Sequence, residues 1–299
     1  MRLSVLDTSP IVAGATPSAA LRNSVELAVL ADSLGYHRYW VPEHHGMRGV
    51  ASCAPAVLVG HLAGVTRRLR VGAGGVLLPN HAPLVVAEQF GTLAALYPGR
   101  IDLGIGRAPG GPPAAVAAVR PRSEPFRVLL DELLGYFSGA DGVVAVPVLG
   151  GNVPAVWLLG SSGSSASLAG ELGLPYAFAH HLNPAGLVGR PELVSVSVIV
   201  AETDERAEYL AGSTRLKVLS RVRGKRILLP SPAEAAEFDY SEDDRREIAA
   251  RSGSVFVGSP ATVATSLRAL DVDELMVTTP VFHHADRLRS YELLADAFR

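Results

Sequence analysis

The chain has 299 residues, of which 48% are hydrophobic and 19% charged, a composition that predicts a globular protein with a large buried core. Its net charge of -2 excludes any electrostatic argument for nucleic acid or an anionic membrane as a partner. Cys53 is the sole cysteine, so no intrachain disulfide can form, and we predict a cytoplasmic protein. The N-terminus reaches Pro10 before any apolar run of signal length, and no run of about 20 apolar residues is free of charge and proline, so we expect neither a secretory signal nor a membrane span.

Short apolar runs alternate with longer amphipathic ones along the chain. The apolar runs predict strands over residues 3–7, 37–43, 70–78, 100–106, 155–160, 176–181, 193–202 and 274–280. The amphipathic runs predict helices over residues 18–36, 54–69, 83–97, 124–138, 164–172, 204–219 and 285–298. Eight such units indicate an α/β fold of the (β/α)8 TIM-barrel type, and continuous apolar strands are typical of a parallel sheet buried on both faces. We therefore predict a single barrel domain over residues 1–299.

One segment, residues 221–252, breaks the alternation. It contains "RVRGKRILLPSP" and the charged run "EFDYSEDDRRE". We predict an insertion before the last strand–helix unit, which is either a lid or a solvated surface excursion.

Adjacent histidines end or follow three of the predicted strands. They are His44 and His45 in "WVPEHHG", His180 and His181 in "YAFAHH", and His283 and His284 in "PVFHH". Catalytic groups of a TIM barrel lie at the C-terminal ends of its strands, so these pairs could face one mouth. A metal site is one hypothesis, although neighbours in an extended segment point apart and neither HxH nor HExxH occurs. The alternatives are acid–base groups, or polar strand-end residues with local hydrogen bonds.

The stretch "GSSGSSASLAGELGLP", residues 160–175, runs from a strand through small polar residues directly into a helix. Small side chains let backbone N–H groups approach a ligand, and the start of a helix attracts anions, so this loop is a candidate phosphate site. The alternative is a structural cap in which Ser164 or Ser165 satisfies the first turn. Arg107 follows a neighbouring strand with Gly104 and Gly106, and its forked guanidinium is suited to the same anion.

Gly74 and Gly75 fall near the end of the third strand, in "VGAGGVLLPNHAP". Glycines inside a buried strand mark a bulge or the close approach of a ligand. Two explanations of these glycines remain open. Either a planar aromatic cofactor lies over the bare backbone, or a bulge only shapes the barrel.

Four long stretches now carry a resemblance to a known family. They are "YWVPEHHGM", "VGAGGVLLPNHAPLVVAEQFGTLAALYPGRIDLGIGRAPG", "WLLGSSGSSASLAGELGLPYAFAHH" and "DELMVTTPVFHHADRLRSYELLA", in this order. Together they resemble the bacterial luciferase-like flavin-dependent monooxygenases. The resemblance implies a TIM barrel that binds reduced FMN from a partner flavin reductase. It also implies reaction of the flavin with O2 to a C4a-peroxyflavin that oxygenates an organic substrate, and a homodimer. We expect this substrate to be hydrophobic, because we expect apolar residues to line the mouth.

The resemblance also implies roles for individual residues. His44 matches the family's catalytic histidine, with His45 beside it, and Gly74–Gly75 fall where the family has a non-proline cis peptide under the flavin ring. The cofactor-binding positions that match are Arg107 and the loop residues Ser161, Ser162, Gly163 and Ser165, with Arg127 as a second phosphate arginine. No metal is implied.

This sequence also departs from the family. Gly106 replaces the luciferase's reactive cysteine, so thiol-dependent stabilisation of the peroxide is not expected. Residues 110–126 and 181–192 are shorter than expected, either because the loops are trimmed or because residues are missing from this sequence. The alternatives in function are an F420-dependent reductase of the same superfamily, a non-catalytic flavin-binding protein, and a metal-dependent barrel hydrolase.

Overall fold

The structure is a computed structural model that describes residues 1–139, 142–187, 189–252 and 254–299. Its strands are β1 (Arg2–Leu6), β2 (Arg38–Val41), β3 (Arg70–Leu77), β4 (Ile101–Gly106), β5 (Ala155–Gly160), β6 (Tyr176–Phe178), β7 (Leu193–Val200), β8 (Val255–Gly258) and β9 (Glu274–Thr278). Its α-helices are α1 (Pro17–Leu34), α2 (Pro55–Val65), α3 (Pro83–Leu96), α4 (Pro113–Val119), α5 (Phe126–Ser138), α6 (Gly163–Leu172), α7 (Asp204–Val222), α8 (Pro232–Glu237), α9 (Glu242–Ser252), α10 (Pro260–Arg268) and α11 (His284–Ala297).

Eight parallel strands close into a barrel. Strands β1 to β6 pair in chain order, β6 pairs with β7, β7 with β9, and β9 with β1. The predicted (β/α)8 TIM barrel is therefore confirmed, and the eight predicted strands correspond to these eight. All strands run in the same direction, so their C-terminal ends meet at one mouth.

Strand β8 was not predicted from the sequence. It pairs with the end of β7 nearest the mouth, with Ser197 opposite Val255 and Val200 opposite Gly258, and α10 follows it. A run of four residues is too short for its periodicity to distinguish a strand from a loop. Strand β6 is shorter than predicted, and between it and β7 the described residues form only a short 3₁₀ turn, Pro184–Gly186; Val188 lies outside the described residues.

Residues 221–252, predicted as an insertion, contain the last two residues of α7, then α8 and α9. Both shorter helices pack against α7. The connecting chain passes the loop after β1, where Ala13 N–H donates to the carbonyl of Leu229 at 2.9 Å. This part of the chain therefore touches the rim of the mouth, and its role as a lid stays a prediction.

Capping residues define both ends of helix α1. Thr16 caps α1 by accepting a hydrogen bond from the Ala19 N–H at 3.2 Å, and Pro17 takes the first helical position. Gly35 ends the helix in the left-handed conformation, with φ at +83°.

A buried ion network fills the N-terminal end of the barrel. Asp102 accepts hydrogen bonds from Arg38 at 2.7 Å, Arg70 at 2.6 Å and the Trp40 indole at 2.9 Å. Arg38 also donates to Glu274 at 2.9 Å. Because Arg38, Arg70 and Glu274 each begin a strand, the network closes the end of the barrel opposite the mouth.

Above this network the barrel interior is apolar. Trp40 and Trp157 meet edge to face with centroids 5.5 Å apart, in a cluster with four further buried side chains, Leu6, Ala177, Leu193 and Met276. The chemistry must therefore occur beyond this layer, at the mouth. Among the described residues, no helix combines the length and the apolar character that crossing a bilayer requires.

Candidate active site

His44 and His181 both lie at the mouth end of the barrel, close enough for their charges to interact. His44 follows β2 and His181 follows β6, and a positive charge on His44 would lower the pKa of His181. From the sequence, the role of the second histidine pair, His180 and His181, was open. The barrel therefore brings together one member of each of two pairs that lie more than 130 residues apart.

The His181 ring is oriented by a chain of hydrogen bonds. The Ser195 hydroxyl on β7 donates to the Phe178 carbonyl at 3.3 Å, so it accepts from Nδ1–H of His181 at 2.9 Å. This arrangement assigns the proton of a neutral ring to Nδ1 and leaves Nε2 as an acceptor. Burial, the largest effect, lowers the pKa of His181, which keeps the ring neutral near pH 7.

His44 has an unpartnered ring nitrogen. Its backbone N–H is bonded to the Ser52 carbonyl at 3.0 Å, but its buried Nδ1 has no hydrogen-bond partner among the described residues. Burial lowers the pKa of His44, the Glu43 carboxylate partly opposes this, and His45 adds to it. A neutral imidazole with a free nitrogen can accept or donate a proton to a bound molecule.

Glu43 organises the loop that carries His44, a role that sequence analysis did not assign. Its buried carboxylate accepts hydrogen bonds from His45 at 2.8 Å, His81 at 2.9 Å and the Leu77 N–H at 3.0 Å. It also accepts one from Asn80 at 3.1 Å. Burial raises the pKa of Glu43, but the hydrogen bonds from His81, His45 and Leu77 outweigh it and lower the pKa to about 2.

This arrangement gives His45 a different task from the catalytic one implied by the resemblance. Its Nε2 is hydrogen-bonded to Glu43, two residues earlier in the same loop, so its visible role is to help fix the carboxylate that joins this loop to the end of β3. His81 and Asn80 do the same from the other side. The only sequence signal for them was polar residues between prolines in "LPNHAP", directly after a buried strand.

We predict that Glu43→Gln lowers the free energy of unfolding by about 3 kcal/mol at pH 7, the equivalent of the lowered pKa. A group whose pKa is lowered by folding stabilises the fold above its unfolded value, and that contribution is lost as the pH falls toward about 2. The difference between wild type and variant in urea unfolding should therefore narrow from pH 7 to pH 3. The exposed Glu292→Gln is the matched control, and equal stability of both variants would contradict the prediction.

The candidate phosphate site lies at the start of α6. Arg107, directly after β4, donates to the Ser164 hydroxyl at 2.9 Å, and Ser164 is 3.0 Å from the Ser162 hydroxyl. The N-cap residue is Ser162, and no side chain caps the helix. The alternative of a structural cap by the Ser164 or Ser165 side chain is therefore wrong. The Ser165 N–H donates to the Ser162 carbonyl at 3.2 Å, and the N–H groups of Gly163 and Ser164 remain available to an anion.

The other predicted phosphate residues have different neighbours. Ser161 presents its carbonyl to Asn183 at 2.8 Å. Ser165 is buried against Gly160, so it is Ser164, not Ser165, that joins Arg107. Arg127 is bound to Asp131 at 2.8 Å and to Glu171 at 2.5 Å, near the far end of α6, and these contacts do not bring it to Arg107.

The Gly74–Gly75 peptide bond is cis, as the resemblance implied. The pairing of β3 with β4 shifts register between Gly74 and Val76, so a bulge is present. A Cβ on Gly75 would lie 2.6 Å from the Gly104 carbonyl oxygen, and one on Gly74 would lie 3.0 Å from the Trp40 side chain. Strand packing by itself therefore requires glycine at position 75 and leaves a side chain at position 74 tight against Trp40, whether or not a ligand lies above them.

The remaining histidines do not join the mouth cluster. His180 turns outward and stacks on Phe256 of β8 with ring centroids 6.0 Å apart. His284 begins α11 and lies 3.3 Å from Glu26. Among the described residues, no group of three or more His, Cys, Asp or Glu side chains could hold a metal ion, so the metal hypothesis gains no support.

Comparison with known proteins defines the class. The family model of the luciferase-like monooxygenases matches residues 1–279, and the chain belongs to this family. A luciferase-like monooxygenase of Escherichia coli K12 is 40% identical over 98% of this chain and 96% of its own length. The N-acetyl-S-alkylcysteine monooxygenase of Bacillus subtilis 168 is 33% identical over 99% of this chain and 98% of its own length. The crystal structure of apo-MsnO8 has a TM-score of 0.91 at 41% identity, with 99% of this chain and 97% of that chain covered.

Two more distant structures share the fold alone. One is the FMN complex of the oxygenating component of 3,6-diketocamphane monooxygenase from Pseudomonas putida, with a TM-score of 0.72 at 20% identity over 99% of this chain and 98% of that chain. The other is an F420-dependent secondary alcohol dehydrogenase, with a TM-score of 0.66 at 13% identity over 100% of this chain and 99% of that chain. The fold therefore accommodates both cofactors.

Proposed function

We propose that this protein is a monooxygenase that uses reduced FMN and O2 to oxygenate a hydrophobic organic molecule. The observation that supports this most is the cluster of Arg107, Ser164 and Ser162 at the uncapped start of α6. A phosphate monoester there would take charge-assisted hydrogen bonds from the guanidinium and further bonds from hydroxyl and N–H groups. FMN carries such a phosphate.

The residues of the mouth divide the remaining tasks. Reduced FMN, when bound, supplies the electrons that activate O2. His44 gives or takes a proton through its imidazole, and His181, whose Nδ1 is held by Ser195, offers Nε2 as an acceptor. The Glu43 carboxylate holds the loop of His44 against β3, which keeps the imidazole in position. The apolar layer beneath, around Trp40 and Trp157, excludes water from the floor of the site.

The experiment that tests this proposal is an anaerobic titration of the purified chain with reduced FMN, followed by admission of O2 in a stopped-flow spectrometer. Saturable binding and a transient near-ultraviolet absorbance after O2 are the expected results. Binding without any reaction with O2, or no binding, would overturn the proposal. Hydride transfer with F420 would then favour the reductase alternative, and tightly retained flavin without turnover would favour the non-catalytic alternative.

We predict that Arg107→Ala weakens binding of reduced FMN about 10- to 100-fold, because one charge-assisted hydrogen bond contributes roughly 1.5–3 kcal/mol. Reduced riboflavin lacks the phosphate, so its affinity should change less than threefold. Arg127→Ala is the matched control and should leave FMN affinity within about threefold, since Arg127 is bound to Asp131 and Glu171. Equal weakening for FMN and riboflavin would contradict a phosphate contact.

The partners follow from the proposed chemistry. A separate flavin reductase supplies reduced FMN, and the setting is the cytoplasm.

We also propose a homodimer through α2 and α3, whose outward faces carry the exposed apolar side chains Val57, Val65, Val85 and Leu96. A monomer mass in sedimentation equilibrium would refute the dimer.

The trimmed loops bear on the substrate. The alignment with the Bacillus subtilis monooxygenase runs over 330 positions against the 299 residues of this chain, so that relative has residues with no counterpart here. We propose that some of these additional residues belong to the segments that correspond to 110–126 and 181–192, which are shorter than expected from the sequence. The substrate specificity of this chain must then depend on other parts of the rim.

A further inference from the structure

Helix α7 runs along the rim of the barrel mouth. Near its start, Arg206 is paired with Asp286 in the first turn of α11 at 3.1 Å. Further along, Thr214 donates to the carbonyl of Pro280, just beyond β9, at 2.7 Å. Both partners lie on the mouth side of the barrel, so one face of α7 looks toward the ends of β9 and β1.

Lys217 is on this face, one turn after Thr214. A Cβ built on Gly49 would lie 3.6 Å from its Nζ and 3.7 Å from Leu228. Gly49 belongs to the loop that begins at His44 and is closed by the hydrogen bond from His44 N–H to the Ser52 carbonyl. The ammonium group of Lys217 therefore points at the same loop that carries the candidate catalytic histidine.

The Lys217 ammonium has no partner in the part of the chain that the structure describes. Among the described residues it makes neither a salt bridge nor a hydrogen bond, although the side chain is half-buried. Burial lowers the pKa of Lys217, and Arg221 one turn further along lowers it more. A partly desolvated cation without a counter-charge is costly, and an anion supplied from outside removes that cost.

Two further positive charges near Lys217 in space or sequence also lack an acidic partner among the described residues. Arg221, on α7, and Arg48, directly before Gly49, are in no salt bridge among the described residues. On the same helix, Arg206 is paired with Asp286 and Arg215 with Glu208 at 2.5 Å. Lys217 and Arg221 are thus the positive charges of α7 that carry no salt bridge among the described residues, and Lys217 is the one shown to lie beside the loop of His44. In a protein of net charge -2, this local excess of positive charge favours an anionic ligand.

We propose that Lys217 binds an anionic group of the substrate, and that the substrate is an apolar organic acid held by its carboxylate at the rim while its apolar part enters the mouth. This assignment rests on the proposed function and makes it more specific, since the hydrophobic molecule expected from sequence acquires a charged end. Lysine suits the task, because a compact ammonium on a flexible stem can follow a carboxylate without demanding one bidentate geometry.

The test compares two acids with their neutral amides by calorimetry on the full chain. The probes are octanoate with octanamide, and 3-(benzylthio)propanoate with its amide. We expect at least one acid to bind about tenfold or more tightly than its amide, in line with one hydrogen bond to a charged group. Lys217→Met should abolish this preference while leaving amide binding unchanged.

Lys225→Met is the matched control, because Lys225 is the only other lysine and lies in the exposed turn after α7. It should keep the preference for the acid. No preference for either acid in the wild type, or a preference that survives Lys217→Met, would overturn the assignment. Reduced FMN binding, measured separately on the same samples, reports on the proposed function, so failure of one can be told from failure of the other.

Discussion

Replacing His44 by alanine is expected to lower the rate of substrate oxygenation about 100- to 10,000-fold, the range typical for loss of a general acid–base group. Binding of reduced FMN should survive, because the phosphate site around Arg107 and α6 lies at other strands. The measurements are steady-state turnover and an anaerobic titration with reduced FMN. Unchanged turnover would remove His44 from the mechanism.

His180→Asn is the matched control for that experiment. His180 also lies at the mouth end of the barrel, but its ring turns outward and stacks on Phe256. Its replacement should alter turnover by less than about fivefold, within the indirect effects of a stability change of about 1 kcal/mol. If His180→Asn lowered turnover as much as His44→Ala does, the loss could not be assigned to the acid–base role of His44, because any disturbance at this end of the barrel would lower turnover.

The pH dependence gives an independent check on His44. Its pKa is lowered by burial from the ordinary value of 6.5, so the neutral ring persists below that pH. The acid limb of kcat/KM should therefore lie below pH 6.5 and be absent from the residual activity of His44→Ala. The lowered pKa also affects stability. Because folding disfavours the charged ring, protonation of His44 lowers the free energy of unfolding as the pH falls below 6.5. An acid limb above pH 7 would contradict a buried neutral imidazole.

Asp102→Asn is expected to cost about 3–5 kcal/mol of unfolding free energy, the range for removing one member of a buried ion network. Asp102 is fully buried and accepts from Arg38, Arg70 and the Trp40 indole. Asparagine keeps the shape but leaves two guanidinium groups with the single carboxylate of Glu274. Urea unfolding monitored by tryptophan fluorescence measures the change directly, because Trp40 and Trp157 both contact the network.

The control for Asp102 is Asp131→Asn, which removes an exposed partner of Arg127 on α5. Exposed pairs contribute about 0–1 kcal/mol, so this variant should unfold close to the wild type. A cost below about 1 kcal/mol for Asp102→Asn would show that the network is replaceable by neutral hydrogen bonds.

The sequence by itself determined the barrel. Continuous apolar runs such as that of β7 predict buried strands, and amphipathic runs with a period of 3.6 residues such as that of α1 predict helices. Both signals depend only on neighbours in the chain. The same holds for the position of α6 directly after a strand and a run of small residues, and for Arg107 after β4, whereas the absence of a side-chain cap on α6 was decided by the structure. Strand β8 was not predicted, because its four residues are too few to establish a period.

The tertiary structure decided which side chains meet. That His181 rather than His180 lies close enough to His44 for their charges to interact depends on which face of β6 looks into the mouth, and that Ser164 rather than Ser165 joins Arg107 depends on the rotation of α6. Glu43 acquires its role only because the ends of β2 and β3 are adjacent, which brings His81 to its carboxylate. These outcomes depend on distances between residues far apart in sequence, and the local periodicity of a chain carries no information about such distances.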